Sequence, residues 1–394
     1  MTIGRRRRLV TAAWGCCVAT IASACGAASP SPRAHGTTTR TASTTTAATP
    51  TPCSVSAILS TWSDLRLAEQ TIVVPVDETQ VATVAPEIAA GAGGVILFGS
   101  TAPADLGSQL QALDSGAPGG LAPLVMSDEE GGAVQRMANL AGAIPAARQM
   151  GASMTAAQIQ ELALNLATRL HGAGVTMDLA PVLDTDDGAG PNNTDPDGTR
   201  SFSNDPAVAS ADGRAFAAGL TAGGVVPVVK HFPGLGHATG NTDVMSAATV
   251  AWSTLQTGGL IPFRDAITAQ VPAVMVANAT IPGLSTIPAS LSPDVITTEL
   301  RTQLGFHGLV LTDSLSAVAI QNAGYSVPQA AVAAITAGAD MILFNASAAD
   351  VGTVSQSIAS ALLSAEQGGT LPRDRLVDAA MHVLTAKGTN LCAG

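Results

Sequence analysis

Charged and aromatic residues are scarce in this chain. Of its 394 residues, 12% are charged and 3% are aromatic, with one tyrosine and seven phenylalanines. The formal net charge is −11 and the basic residues are scattered, whereas a nucleic-acid-binding surface needs a basic patch. So few aromatic side chains provide no ladder on which the bases of a single strand could stack. We therefore predict no nucleic-acid partner and attribute the acidity to solubility.

Residue types that bind metals are also few or badly spaced. The chain has five cysteines and six histidines, and they do not follow the Cys/His spacing of a zinc site. The segment 184–197 is rich in aspartate and glycine, but it lacks the glutamate that ends a calcium-binding loop. The sequence therefore predicts no metal site.

The first 24 residues are predicted to be an export signal. Arginines occupy positions 5–8, a mostly apolar stretch covers 9–21, and small residues precede Cys25. Such a signal takes no part in the fold, and its apolar stretch is short for a membrane span. Cys25 resembles the cysteine of a bacterial lipobox, which is lipidated and becomes the mature N-terminus, although Ala22 stands where leucine is commoner. Plain cleavage followed by secretion is the alternative.

Residues 25–52 are predicted to be a lipidated cysteine followed by a flexible tether. They are rich in Ser, Thr, Pro and Ala, a composition that cannot bury a core. We expect a protein held at the cell membrane and facing the periplasm or the wall, or else secreted. After export and lipidation, Cys53 and Cys392 are the thiols that remain, and an oxidising compartment favours a disulfide between them. This bond would tie together the ends of the folded part, residues 53–394.

Short apolar runs alternate with helical segments through the folded part. Ile159, Leu166 and Leu170 belong to one such segment, with apolar residues at i, i+3 and i+4. The apolar runs lie at 72–76, 94–98, 123–126, 175–179, 225–229, 273–276, 309–311 and 341–344. Strands that alternate with helices pair in parallel through right-handed crossovers. We therefore predict an α/β fold of the (β/α)₈ TIM type, acting as a single catalytic domain and a monomer. A doubly wound open sheet is the alternative.

Polar residues follow directly on several of these runs. Asp128 comes after the third run and Asp184 after the fourth. Lys230 and His231 come after the fifth, and Asp313 comes soon after the seventh. The carboxyl ends of barrel strands meet on one face, where barrel enzymes place their chemistry. The pattern therefore predicts an enzyme.

Four segments at or near these strand ends resemble one family of enzymes. The sequence KHFPG at 230–234 resembles the signature of the glycoside hydrolase family 3 β-N-acetylglucosaminidases, and SDEEGGAVQRM at 127–137 fits the same family. So do TRSFSNDP at 199–206 and GLVLTDS at 308–314. The resemblance covers residues 54–390 and is specific to the branch that lacks a separate C-terminal domain. It implies a retaining glycosidase that removes terminal β-linked N-acetylglucosamine from cell-wall or muropeptide sugars, without a cofactor.

The resemblance assigns the nucleophile to Asp313. A carboxylate at a strand end in a barrel mouth is well placed to attack the anomeric carbon of a sugar. Aspartate is also a common helix cap, so a purely structural role is the alternative from the residue type alone.

The resemblance also assigns a set of substrate-binding residues. Asp128 would clamp two sugar hydroxyls, because charge-assisted hydrogen bonds are short and directional, and Arg136 and Arg200 would contact the substrate. Lys230 and His231 would bind further hydroxyls. The alternatives are a turn residue for Asp128, a surface helix residue for Arg136 and a core histidine for His231.

The loop after residue 234 departs from the family. In that branch the loop ends in Asp-x-His, whose histidine is the general acid/base, whereas this chain has Asn241, Thr242 and Asp243. A histidine that usually follows the KHFPG sequence is replaced by Leu235. Asp243 could serve as a carboxyl acid/base, or His237 could pair with Asp243 and take that role. The remaining alternatives are a weak or inactive sugar-binding lipoprotein on the same scaffold and a β-glucosidase of the same family.

Overall fold

The computed structural model describes residues 54–389 together with 391 and 392. The predicted signal, the tether, Cys25 and Cys53 lie outside the described residues, so those assignments stay predictions. Cys392 is disulfide-bonded, and its pairing with Cys53 also stays a prediction. Within the described ranges, every helix is too short or too polar to cross a membrane.

The strands of the described residues form a large parallel sheet and a small hairpin. Their bounds are β1 Ile72–Asp77, β2 Gly94–Phe98, β3 Leu124–Ser127, β4 Glu129–Gly131, β5 Val134–Gln135, β6 Met177–Asp178, β7 Val226–Phe232, β8 Ala273–Val276, β9 Leu309–Thr312 and β10 Ile342–Leu343.

Helices connect the strands and surround them. The α-helices are α1 Val55–Leu59, α2 Asp64–Glu69, α3 Ala85–Ala90, α4 Leu106–Asp114, α5 Ala138–Ala141, α6 Ala147–Ser153, α7 Ala156–Gly172, α8 Pro206–Ala222, α9 Trp252–Leu255, α10 Ile261–Thr268, α11 Val318–Asn322, α12 Val327–Ala337, α13 Val351–Gln367 and α14 Arg373–Ala386. Short 3₁₀ turns lie at Val81–Val84, Pro118–Gly120, Gly198–Arg200 and Ala289–Leu291, and a π-helix covers Asp294–Gln303.

The large sheet closes into a barrel. Its eight strands follow the order β10-β1-β2-β3-β6-β7-β8-β9, so neighbours in the chain are neighbours in space. The two ends of this order meet at a parallel bridge between Leu311 and Met341, where the Thr312 N–H donates to the Met341 carbonyl at 3.0 Å. All eight predicted strands are present and the (β/α)₈ barrel is confirmed. The alternative of a doubly wound open sheet is wrong.

Both faces of the barrel strands are buried, which explains their continuous apolar runs. Val73 and Leu311 belong to the cluster that fills the barrel interior, whereas Val74 and Val310 belong to the layer that packs against the helices. Helix α7 contributes to the outer layer, as its apolar repeat predicts. The barrel interior is therefore packed, and space for a ligand lies at its ends.

The hairpin of β4 and β5 was not predicted. It follows β3 and turns through Gly131 and Gly132, which have φ angles of 94° and 59°. A side chain at Gly131 would place its Cβ 2.3 Å from the Pro145 carbonyl oxygen, so only glycine fits there. The hairpin carries Glu130 and leads into Arg136 at the carboxyl end of the barrel.

Candidate active site

A cavity of about 240 Å³ opens at the carboxyl ends of the barrel strands. Seven of the eight residues predicted to bind or react with substrate line it: Asp128, Arg136, Arg200, Lys230, His231, Asp243 and Asp313. They come from segments up to 185 residues apart, and the barrel brings them together because parallel strand ends share one face.

Strand β7 supplies two adjacent side chains to this cavity. Its pairing with β8 shifts register between Val229 and Phe232. Such an irregularity re-aims side chains, and Lys230 and His231 both line the cavity although they are consecutive. Both are buried, at 2% and 5% exposure.

Lys230 and Arg200 form an ion-paired cluster with two carboxylates. The Lys230 ammonium lies 2.8 Å from Asp128 Oδ1 and 2.6 Å from Glu130 Oε1. The Arg200 guanidinium donates from Nε and Nη2 to the two oxygens of Glu130, each at 2.8 Å. Arg136 Nη2 lies 3.5 Å from Asp128 Oδ2 and extends the cluster. We call these five residues the ion-paired cluster.

The cluster holds its members in their charged forms. Burial alone would raise the pKa of Glu130, but Arg200 and Lys230 outweigh it and hold that pKa well below its usual range. Burial alone would lower the pKa of Lys230, but Asp128 and Glu130 outweigh it and raise that pKa. Burial alone would raise the pKa of Asp128, but Lys230 and Arg136 together outweigh it and lower that pKa. The cavity therefore presents fixed charges whose hydrogen bonds suit sugar hydroxyls.

Glu130 was not predicted as a site residue. It lies in the family-like segment 127–137, and its acidic side chain beside two glycines was a usable signal. Its bond to Arg200 spans 70 residues of sequence, and no local pattern predicts a contact of that kind.

His231 is held by a buried carboxylate. Its Nδ1 lies 2.7 Å from Asp184 Oδ2, and its backbone N–H donates to the same oxygen at 3.0 Å. The Leu235 N–H donates to Asp184 Oδ1 at 2.6 Å. Burial and the Arg200 charge lower the pKa of His231 to about 4, so the ring is neutral at pH 7. With Asp184 as the acceptor, the ring proton lies on Nδ1 and Nε2 is an acceptor.

Asp197 is a second buried carboxyl beside His231. Neither of its oxygens has a hydrogen-bond partner among the described residues, and Arg200 Nη1 lies 3.7 Å from Oδ1. Burial, followed by the charge of Asp184, raises the pKa of Asp197 to about 8. Asp184, Asp197 and His231 each offer one ligand atom, and these three atoms lie within 4.8 Å of one another. The three residues could therefore hold a cation. The positive charge of the nearby Arg200 opposes cation binding. The absence of a metal site stays a prediction.

Asp313 lies at the carboxyl end of β9, where it lines the cavity and is partly buried. Its backbone N–H donates to the Val276 carbonyl of β8 at 3.0 Å, and its Oδ1 accepts the Ser314 N–H at 2.7 Å. Burial raises its pKa, and the nearby charge of Asp243 raises it further, whereas His231 acts in the opposite direction.

Asp243 lies at the exposed rim of the same cavity. Its N–H donates to Asn241 Oδ1 at 2.9 Å, and the Thr242 carbonyl accepts the Ala319 N–H at 3.0 Å, which ties the loop to α11. The surrounding protein raises the pKa of Asp243, and Arg200 partly offsets this effect. Asp243 and Asp313 therefore influence each other electrostatically across the cavity, as the two carboxyl groups of a glycosidase do.

His237 does not line the cavity. It is exposed, has a φ angle of 58°, and donates its backbone N–H to Asp186 Oδ2 at 3.1 Å. A ligand atom of its ring lies within 4.8 Å of carboxylate oxygens of Asp186 and Asp187. The loop thus brings Asp243 to the cavity and leaves His237 beside this acidic pair, outside it.

Comparisons of this chain with known proteins agree on one family. Residues 70–386 match the family described as the glycosyl hydrolase family 3 N terminal domain. The chain is 36% identical over 282 residues to the β-hexosaminidase LpqI of Mycobacterium tuberculosis, which covers 70% of both proteins. It is 34% identical over 289 residues to an uncharacterized secreted glycosyl hydrolase of Arthroderma benhamiae, covering 71% of this chain and 80% of that protein.

A solved structure has the same fold as this chain. The β-N-acetylhexosaminidase from Beutenbergia cavernae superposes with a TM-score of 0.74 and is 32% identical. The match covers 83% of this chain and 99% of that one. The similarity therefore extends over most of this chain and nearly all of the other.

Proposed function

Because this chain belongs to glycosyl hydrolase family 3, we propose that it removes terminal β-linked N-acetylglucosamine from cell-wall or muropeptide sugars, with retention of configuration. The chain is a glycoside hydrolase of the β-hexosaminidase type, and its relatives favour neither the sugar-binding lipoprotein nor the β-glucosidase. The observation that carries the proposal is the pair Asp313 and Asp243 in one cavity with the ion-paired cluster.

The ion-paired cluster is proposed to bind the terminal sugar. Asp128 accepts hydrogen bonds from hydroxyls, and Lys230, Arg200 and Arg136 donate to sugar oxygens. His231 also lines the cavity, and with Asp184 accepting from Nδ1 its Nε2 is an acceptor for a sugar hydroxyl. Since these charges already contact one another, the site needs little rearrangement when a sugar enters.

The reaction is proposed to proceed in two displacements at the anomeric carbon. In the first, an Asp313 oxygen bonds to that carbon while the bond to the leaving oxygen breaks, and Asp243 gives its proton to the leaving oxygen. In the second, Asp243 takes a proton from water, whose oxygen displaces Asp313. The raised pKa of Asp243 supports its role as the proton donor, because the carboxyl then keeps its proton to a higher pH.

Export is proposed for this chain, with Cys25 as the site of a lipid anchor. The basic and apolar segments before Cys25 support export, and so does the secreted relative from Arthroderma benhamiae. The tether at 25–52 would then place the barrel near the wall, where the proposed substrates lie. We further propose that the enzyme acts as a monomer.

Two aryl glycosides test the proposed function. The purified protein is expected to hydrolyse an aryl N-acetyl-β-glucosaminide with a kcat/KM at least about 100-fold above that for the matching β-glucoside. The first sugar released should be the β-anomer, which proton NMR detects before mutarotation. A preference for the glucoside would indicate a β-glucosidase. Binding of N-acetylglucosamine without turnover of either glycoside would indicate a sugar-binding protein.

A further inference from the structure

A second cavity, of about 420 Å³, lies beside the catalytic cavity. Phe98 and Asn345 line both. Because the two cavities share these walls, a molecule whose one end occupies the catalytic cavity could place its other end in the second.

The position of the second cavity follows from the order of the barrel strands. Strand β1 lies between β10 and β2, and the shared residues Asn345 and Phe98 stand just after β10 and at the end of β2. Each of the other seven barrel strands, or the residue directly after it, lines the catalytic cavity. Strand β1 instead lines the second cavity, through Pro75, Val76 and Asp77. The barrel mouth is thus divided into a catalytic part and a sector above β1.

The lining of the second cavity combines apolar and hydrogen-bonding groups. Val84 and Val351 contribute apolar surface, and Gln80 contributes an amide. Asp77 is an ionised acceptor, because a hydrogen bond from Thr79 lowers its pKa. A pyranose ring has this same combination of apolar C–H faces and hydroxyl edges.

Phe98 is more exposed to solvent than the other phenylalanines of the chain. The other six phenylalanines are at most 3% exposed, whereas Phe98 is only partly buried and forms the wall between the two cavities. The Arg136 guanidinium lies 5.7 Å from its ring centroid and fixes one face of the ring. An aromatic ring left accessible at such a position offers a flat surface for the C–H face of a sugar.

We propose that the second cavity binds the leaving group of the substrate, and that this group is a second pyranose. This inference rests on the proposed function, because only a glycosidase has a leaving sugar to bind. The terminal sugar occupies the catalytic cavity, and the glycosidic bond passes the Phe98–Asn345 wall. The leaving sugar packs on Phe98 and donates hydroxyls to Asp77 and Gln80. The enzyme therefore selects its natural substrates partly through residues above β1.

A substitution that fills the second cavity tests this proposal. Ala348 lines that cavity and is exposed, so Ala348→Trp fills the space without disturbing the core. Two substrates are compared with the full-length protein: N,N′-diacetylchitobiose, whose leaving group is a sugar, and β-N-acetylglucosaminyl fluoride, whose leaving group is one atom. We expect kcat/KM for the disaccharide to fall at least about tenfold, mainly through KM, and kcat/KM for the fluoride to stay within about twofold.

A matched control separates local from general effects. Ala218 is exposed and lines a cavity among the outer helices and a strand end of the barrel, so Ala218→Trp is expected to change neither substrate. Gln80→Ala provides a second variant, which is expected to raise KM for the disaccharide alone. Equal losses for both substrates, or no loss for the disaccharide in either variant, would overturn the proposal. If the wild-type protein hydrolyses neither substrate, it is the proposed function that fails.

Discussion

Asp313 is the residue on which the proposed covalent step depends. Asp313→Ala is expected to lower kcat for an activated aryl N-acetyl-β-glucosaminide by at least about 10³-fold, because it removes the carboxylate at the end of β9 that forms the glycosyl bond. Asp294→Ala, which removes an exposed carboxylate at the start of the π-helix, is the control. A fluorosugar inactivator should label Asp313, as peptide mass spectrometry would detect. Activity within a few fold of wild type, or a label elsewhere, would remove Asp313 from the mechanism.

Asp197 gives the folded protein a pH dependence of stability. Its pKa is about 8 when folded and near 3.8 when unfolded, so the folded state keeps a proton that the unfolded state loses above pH 4. At pH values between these two pKa values, unfolding therefore releases a proton from Asp197. The contribution of Asp197 to stability falls as pH rises from about 4 to about 8.

The variant Asp197→Asn removes this titration. Its free energy of unfolding relative to wild type should be higher at pH 8 than at pH 5, and urea denaturation at the two pH values measures the difference. Any pH-independent effect of the new amide on the free energy of unfolding is the same at both pH values and cancels in that comparison. Asp294→Asn, on the exposed carboxylate used above, should show no such change. The same relative stability at both pH values would contradict the expectation.

Residues at strand ends were predictable in this chain, and residues that hold them were not. Asp128, Lys230 and Asp313 follow apolar runs directly, so the barrel geometry places them on one face. The contacts of Glu130 and Asp197 depend on which distant segments cross the barrel mouth. Neither composition nor periodicity contains that information, because both contacts form only when the tertiary structure does.

The loop that joins β7 to the segment before α9 carries the altered acid/base. If Asp243 is the acid/base, Asp243→Ala should lose little glycosylation rate on substrates with good leaving groups. The variant should lose about 10²-fold or more on disaccharides, because only poor leaving groups need a proton. Added azide should restore the second displacement by replacing the water that Asp243 activates. Stopped-flow and steady-state measurements on both substrates separate the two steps.

The same loop provides its own control. His237→Ala should leave both rates within about twofold of wild type, because His237 lies outside the cavity. If instead His237→Ala shows the pattern expected of Asp243→Ala, the loop must rearrange in the bound state. The double change Asn241→Asp with Asp243→His restores the Asp-x-His pattern that the resemblance implies, and a large gain in rate would show that this loop reaches the site.

Elements with a strong periodic pattern were predicted and irregular ones were not. The eight barrel strands are buried on both faces, so their sequences are short continuous apolar runs. The hairpin of β4 and β5 has three and two residues, and it is held by tertiary contacts around Gly131. The position of His237 likewise depends on a backbone bond to Asp186. Such elements lack a repeat from which they could be predicted.

The molecule as a whole is expected to be closed by a disulfide between Cys53 and Cys392. Cys392 is disulfide-bonded, and in the chain-entropy account so long a loop contributes about 6 kcal/mol to stability. Mass spectrometry of the non-reduced protein should find one linked peptide that contains both cysteines. The variant Cys392→Ser should unfold at lower urea concentration than wild type in non-reducing buffer and at the same concentration in reducing buffer. Two free thiols in the exported protein would contradict the prediction.

The ion-paired cluster also affects how substrate reaches the enzyme. Lys230 and Arg200 are neutralised by Asp128 and Glu130 within 3 Å, so little of their field extends into solvent. N,N′-diacetylchitobiose and β-N-acetylglucosaminyl fluoride carry no charge, so with these substrates electrostatic steering has nothing to act on. Capture of substrate then depends on diffusion and shape, and kcat/KM should change by less than about twofold between low and high ionic strength. Toward neutral sugars, an enzyme of this design would work equally well in dilute water and in brine.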